Sequence, residues 1–215
     1  MRRYVLAFLA VIVAAAGYLA YPATAGTPLP DLASYSVKLN TPTGHGSGTH
    51  IGGGYILTAA HVVAGRTSVV VQTNIGRQRY AKVLWINTET DLALLLTSPQ
   101  GMASANLSCR TAHAGEPIRA DGNPLNIDFV SSSGKISGDA REIASGRLAY
   151  VTDMTTVMGM SGGGTFDRNG DLIGITSAVA IAPLQTGPAA WTPSLTGFGM
   201  AVPSFVACRL MGRGV

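Results

Sequence analysis

Gly159-Met160-Ser161-Gly162-Gly163-Gly164 is the stretch from which the rest of the chain becomes readable. A serine hydroxyl is a weak nucleophile until a base takes its proton and nearby N–H groups receive the oxyanion that forms. Glycine on both sides lets the backbone turn tightly, aim N–H groups inward and admit a substrate closely. Gly-rich turns are common, so the weight of this one depends on whether the chain also supplies a base and an acid to orient it.

Both lie upstream. Tyr55-Ile56-Leu57-Thr58-Ala59-Ala60-His61-Val62-Val63 is an apolar strand that ends in a short turn carrying a histidine. Glu89-Thr90-Asp91 stands at the mouth of a second apolar strand, Leu92-Ala93-Leu94-Leu95-Leu96. In chemical terms Ser161 Oγ is the nucleophile, His61 the general base and then acid, and Asp91 the group that fixes the imidazole tautomer. The backbone N–H groups of Gly159 and Ser161 are the expected oxyanion hole. Asp153, eight residues before Ser161, is a rival acid, better suited to a loop beside the substrate.

The chain of 215 residues has 27 glycines and only 12% charged residues. That combination suits many short strands and tight turns rather than helices or disorder. Apolar and β-branched runs recur at 35–39, 55–57, 68–72, 80–85 and 92–96, then again at 117–120, 129–132, 147–152, 164–166, 172–180 and 198–202. Residues 98–116 lose the pattern and read as a crossing between halves. Asp167-Arg168-Asn169-Gly170 is a hairpin turn, and Pro203 opens a short C-terminal helix. No βαβ alternation occurs, so the fold class is all-β with two groups of strands. The formal net charge is +4, with Arg2 and Arg3 among the positives, and no cluster of Lys and Arg interleaved with aromatics is present. Nucleic acid is therefore not an expected partner.

The segments LTAAHVV, TDLALL and GMSGGG together resemble the chymotrypsin-like (trypsin-like) serine proteases, and most of all the bacterial HtrA-like branch. Gly122-Asn123-Pro124 with residues 130–138, Gly174-Ile175-Thr176-Ser177, and Gly197-Phe198-Gly199-Met200-Ala201-Val202-Pro203 are similar to further segments of that branch. The resemblance runs from about residue 36 to about residue 204. It implies two six-stranded antiparallel β-barrels with the active site between them and a short C-terminal helix. Residues 35–115 would form the N-terminal barrel carrying His61 and Asp91, and residues 116–215 the C-terminal barrel carrying Ser161. The further peptide-binding domain common in the branch is not expected here.

The resemblance also implies finer roles. Ser177 matches a serine that hydrogen-bonds the acid of the triad. Thr155 and Thr156 would form the base of the primary pocket, with Ala178 and Val179 on one wall and Gly197 on another. No carboxylate stands there to pair a substrate Arg or Lys, Thr176 replaces the histidine of glutamate-specific relatives, and the Val179 side chain makes the pocket shallow. A small or aliphatic residue before the cut is expected. The implied activity is that of an exported serine endopeptidase acting on polypeptide; the alternative is a catalytically silent relative that binds peptides as an adaptor. Neither metal nor cofactor is expected: two cysteines do not make a zinc site, and Asp121, Asp128 and Asp139 belong to no calcium-loop run.

Arg2 and Arg3, the uncharged residues 4–21 and the Ala23-Thr24-Ala25 site read as an export signal in residues 1–25. Residues 4–21 also just reach the length of an uncleaved membrane anchor, the one membrane contact expected. Pro-rich residues 26–34 read as a linker. Both alternatives put the rest of the chain outside the cytoplasm, secreted, periplasmic or at the cell surface. There, Cys109 in the crossing and Cys208 near the end are expected to pair, as in chymotrypsin-like enzymes that tie the inter-barrel segment to the C-terminus; two buried free thiols are the other reading.

Overall fold

A computed structural model describes residues 35–125 and 127–214. The signal or anchor expected in residues 1–25 and the linker in residues 26–34 lie outside the described residues. Twelve strands build two closed antiparallel barrels. The first contains β1 (Ser36–Thr41), β2 (Gly44–His50), β3 (Tyr55–Ala59), β4 (Ser68–Thr73), β5 (Gln78–Asn87) and β6 (Leu92–Leu96), in the order β1-β2-β3-β6-β5-β4. The second contains β7 (Pro117–Gly122), β8 (Val130–Glu142), β9 (Leu148–Thr152), β10 (Gly164–Phe166), β11 (Leu172–Gln185) and β12 (Trp191–Pro203), in the order β10-β11-β12-β9-β8-β7. Helix α1 (Ser204–Leu210) follows, with Pro203 as its N-cap residue. No helix among the described residues is long and apolar enough to cross a membrane.

Side-chain alternation explains the two most apolar strands. In β6, Ala93 and Leu95 point into the first barrel with Val37, Leu39, Ile56, Val69 and Val71. Leu92 and Leu94 point the other way, into a cluster with Leu57, Phe166, Leu172, Ile175 and Val202 that joins the two barrels. A strand buried on both faces cannot alternate with polar residues, which is why residues 92–96 read as one continuous apolar run. A third cluster, including Ile118, Ile136, Tyr150, Met154, Ile173 and Phe205, fills the second barrel. β4 is the simpler case: Val69, Val71 and Thr73 are buried while their neighbours are not.

Strand β2 falls outside the apolar runs of the sequence. Its glycines are the reason. A Cβ on Gly48 would stand 2.7 Å from Ile56 Cγ2 and 3.1 Å from Val37 Cγ2, so the neighbouring side chains fill the space that this strand leaves. His50, at its end, is 2% exposed. Its Nδ1 lies 2.7 Å from Ala103 O and so donates, while Nε2 accepts from Gly54 N at 3.1 Å. Both ring nitrogens are thus engaged in holding the turn that follows β2.

The segment between the barrels is fastened along its length. Cys109 and Cys208 form a disulfide that ties it to α1. Leu107 bridges Leu172 in parallel. Arg110 binds Glu116 through two nitrogens at 3.1 and 2.7 Å and reaches Asp167 at 3.0 Å. Across the barrels, Lys38 Nζ donates to Asp128 Oδ1 at 2.7 Å.

Candidate active site

The antiparallel pairing of β3 with β6 sets Ala59 opposite Leu92. The residues just beyond, His61 in a 3-10 turn (Ala60–Val62) and Asp91 before β6, are thereby forced together. Asp91 adopts φ 58°, a left-handed conformation that Asp tolerates better than most residues. Asn87 Oδ1 holds the preceding turn by accepting from Thr90 N at 2.9 Å and Thr90 Oγ1 at 3.1 Å.

The Asp91 side chain is 1% exposed and saturated with donors. His61 Nδ1 lies 3.0 Å from both carboxylate oxygens, and His61 N donates to Oδ1 at 3.1 Å. Ser177 Oγ donates to Oδ2 at 2.5 Å. Burial pushes the Asp91 carboxyl up, but the hydrogen bonds from His61 and Ser177 outweigh it and hold the group below its ordinary value. With Nδ1 committed to Asp91, the His61 Nε2 edge faces outward; the side chain is 48% exposed. Arg147, before β9, adds a cation 3.6 Å from Asp91 Oδ2. Nothing in the sequence marks it, because 56 residues separate the two.

Ser161 lies in the loop between β9 and β10, and this loop is clamped from the first barrel. Ser47 N on β2 donates to Ser161 O at 2.8 Å, and Ser47 Oγ donates to Gly159 O at 2.7 Å. The same hydroxyl accepts from Asn123 N at 2.9 Å, and His45 Nε2 lies 2.9 Å from Asn123 O. On the other side Gly162 N donates to Thr176 O at 2.7 Å and Thr176 N to Gly163 O at 2.8 Å. Gly162 is obligatory: its φ is 86°, and a Cβ would collide with Ser47 O and Thr58 Oγ1. Met160 is 2% exposed and packs into the apolar cluster of the second barrel. A thioether in that core therefore anchors the loop. In the sequence Asn123 carries no sign of this role beyond its place in Gly122-Asn123-Pro124, and nothing local marks Ser47.

The structure brings His61, Asp91, Ser161 and Ser177 to one place between the barrels. Ser161 Oγ donates to Ser177 O at 3.3 Å rather than to His61. Asp153, the rival acid, accepts from Lys135 N at 2.6 Å on the second barrel. Of the expected pocket residues, Thr155 is exposed and Thr156 half-buried, and Ala178 and Val179 follow Ser177 on β11. Gly199 is the β12 residue whose Cβ position faces Thr156 Oγ1, whereas Gly197 stands in open space with φ 84°. Among the described residues no three His, Cys, Asp or Glu side chains cluster as metal ligands do.

Residues 46–175 match the family model described as a trypsin-like peptidase domain. The chain belongs to that family. Among trypsin-like peptidases, a probable periplasmic serine endoprotease, DegP-like, of Halomonas elongata is 35% identical over 131 residues, which cover 59% of this chain and 27% of that protein. The periplasmic pH-dependent serine endoprotease DegQ of Escherichia coli is 31% identical over 174 residues, 78% of this chain and 36% of that protein. The HtrA-type protease AlgW, solved with a tripeptide, superposes with a TM-score of 0.72 at 27% identity, over 85% of this chain and 60% of that one. This trypsin-like peptidase chain thus spans well under half the length of those two curated relatives.

Proposed function

We propose that this chain is an exported serine endopeptidase in which Ser161, His61 and Asp91 act on polypeptide. The observation that carries the reading is the buried Asp91 carboxylate gripping His61 Nδ1 at 3.0 Å beside the clamped loop of Ser161. That grip keeps the Nδ1 proton in place and leaves Nε2 to accept one. On substrate engagement the Ser161 hydroxyl turns from Ser177 O to His61 Nε2. Its oxygen attacks the scissile carbonyl as Nε2 takes the proton, and Asp91 stabilises the imidazolium. The N–H groups of Gly159 and Ser161 receive the oxyanion, a contribution of roughly 100–1000-fold per donor in comparable sites. Nε2 then gives its proton to the leaving amine, and water, activated by the same histidine, releases the acyl group.

The acyl side of the substrate lies as an antiparallel strand along residues 177–179 of β11. Val179 and the absence of a carboxylate among Thr155, Thr156, Ala178 and Val179 favour a small or aliphatic residue before the cut. Export is supported by relatives named periplasmic and by the Cys109–Cys208 disulfide, which persists in oxidising compartments.

A catalytically silent peptide-binding relative is the second reading, favoured by one observation: Ser161 Oγ bonds to Ser177 O and not to His61. Labelling with a fluorophosphonate probe, alongside a casein digest, separates the two. Labelling and cleavage that both vanish in Ser161→Ala are expected. An unlabelled, inactive parent protein sinks the peptidase reading.

A further inference from the structure

Strands β11 and β12 do not stop where the barrel does. They pair through Gln185↔Trp191, as a two-stranded ribbon. On its other edge β11 is paired with β10 only over residues 172–175. Beyond the Thr176 contacts to the Ser161 loop, no strand covers that edge among the described residues. From Val179 to Gln185 β11 runs with no inserted residue; the irregularity here belongs to β12, where residues 196–198 lie opposite Ala180 alone. The edge is thus continuous with residues 177–179 and extends about 20 Å past them at ~3.3 Å per residue.

This ribbon is uncharged and open, apolar on the face of Ile181, Pro183, Pro193 and Leu195, with Thr192 and Ser194 beside Leu184 and Ala182 on the other. Ile181 and Leu184 on β11 are 61% and 55% exposed, and Trp191 and Leu195 on β12 are 60% and 61% exposed. Ile181 pairs with Leu195 and Pro183 with Pro193, giving one face, while Leu184 lies on the other. No charged side chain occurs from Leu172 to Cys208. Exposed apolar surface of this kind marks a binding site, and an unpaired strand edge takes another strand.

We infer that the free edge of β11 beyond Val179 prolongs the substrate cleft and takes an extended, uncharged, apolar segment upstream of the cut. The inference rests on the peptidase reading, which sets the substrate along residues 177–179. A chain whose last acyl residue lies opposite Ser177 places its third residue before the cut opposite Val179. Its fifth then meets Ile181 and its eighth meets Leu184. Backbone pairing supplies the register as far as Ala182; Pro183 has no N–H to donate, and beyond it the segment is held by apolar contact alone. The favoured substrate is an unfolded polypeptide with an apolar stretch about five to eight residues before the cleaved bond. Acidic or basic residues there would be desolvated with no partner on the ribbon.

The test uses quenched-fluorescence peptides that share the three residues on either side of the cut. One has no extension, one carries six apolar upstream residues, and one carries six upstream residues that include Asp and Lys. The apolar extension is expected to raise kcat/KM about 10-fold over the charged one, worth about 1.4 kcal/mol. In Ile181→Thr with Leu184→Thr, changes that keep strand propensity, the ratio falls below about 2-fold. A ratio near one in the parent protein, which needs no variant, overturns the inference, as does an unchanged ratio in the double variant. If even the unextended peptide is not cleaved, the peptidase reading has failed instead. Fluorescence anisotropy of labelled peptides with the Ser161→Ala protein then decides: a 10-fold difference in Kd supports the edge, and equal values overturn it. Concentration-dependent dimers in sedimentation velocity that the double variant abolishes would assign the ribbon to a second copy and overturn it. Binding to phosphatidylcholine vesicles lost in the same variant would do so in favour of lipid.

Discussion

Ser177→Ala isolates the grip on Asp91. The hydroxyl donates at 2.5 Å to a carboxylate that is 1% exposed. A hydrogen bond to a charged group contributes about 1.5–3 kcal/mol, and water has little access to replace it. His61 keeps both oxygens at 3.0 Å, so the carboxylate retains a partner and the loss falls near the middle, about 2 kcal/mol. For a protein of this size the melting midpoint should fall by about 4–8 °C at pH 7. The loss should depend on pH in a defined direction. Asp91 is held below its ordinary value of 3.8 in the folded state, so its contribution is full above that value and is lost as pH falls through the lowered one. Removing Ser177 Oγ raises the folded value. The gap between parent and variant should therefore be widest near neutrality and close below about pH 4. Urea unfolding at pH 7 and pH 3 measures it. A gap under about 0.5 kcal/mol at pH 7, or one as large at pH 3, would mean that Ser177 does not hold the ionised Asp91 carboxylate. On the short peptide, kcat should fall about 10-fold, since the imidazolium loses part of its support.

Three further substitutions probe the scaffold of the same site. Ser47→Ala leaves the Asn123 N–H without its acceptor, costing about 1–3 kcal/mol, and frees Gly159 O; kcat should fall more than KM changes in steady-state assays. Met160→Ala opens a cavity in the second barrel and should cost about 2–5 kcal/mol in urea unfolding, whereas Met160→Leu should cost less than about 1.5 kcal/mol. Replacing Cys109 and Cys208 together by Ser removes a bridge spanning 99 positions; the chain-entropy model sets the loss at up to about 4.7 kcal/mol, measured as the shift in denaturation midpoint against the oxidised parent.

The parts of this protein that were legible in the sequence are those where chemistry and apolar pattern coincide. His61 closes an apolar strand, Asp91 opens another, and Ser161 sits among glycines, so each announces itself locally. β2 did not, because Gly46 and Gly48 serve by having no side chain; Val62 and Ile56 fill the space they leave. A pattern counted in apolar residues cannot see a strand made of absences. The ribbon was read too short for a related reason. The runs at 172–180 and 198–202 stop short of Pro183 and Pro193, which pair with each other on a ribbon in which each strand has one open edge, where proline is tolerated. Ser47 and Arg147 act across the two barrels, and only the closed fold brings them to Gly159 and Asp91.

The Met160 anchor has a consequence for the life of an exported protein. An ion pair or a carboxylate at that point would let protons and salt loosen the Ser161 loop; a buried thioether answers to neither. Its vulnerability is instead to oxidants, which convert methionine to a polar sulfoxide that an apolar core rejects. While the second barrel stays closed the sulfur is shielded. Once it opens, modification at Met160 would lock the Ser161 loop out of place. The residue thus ties the molecule's working lifetime to how often its second barrel breathes.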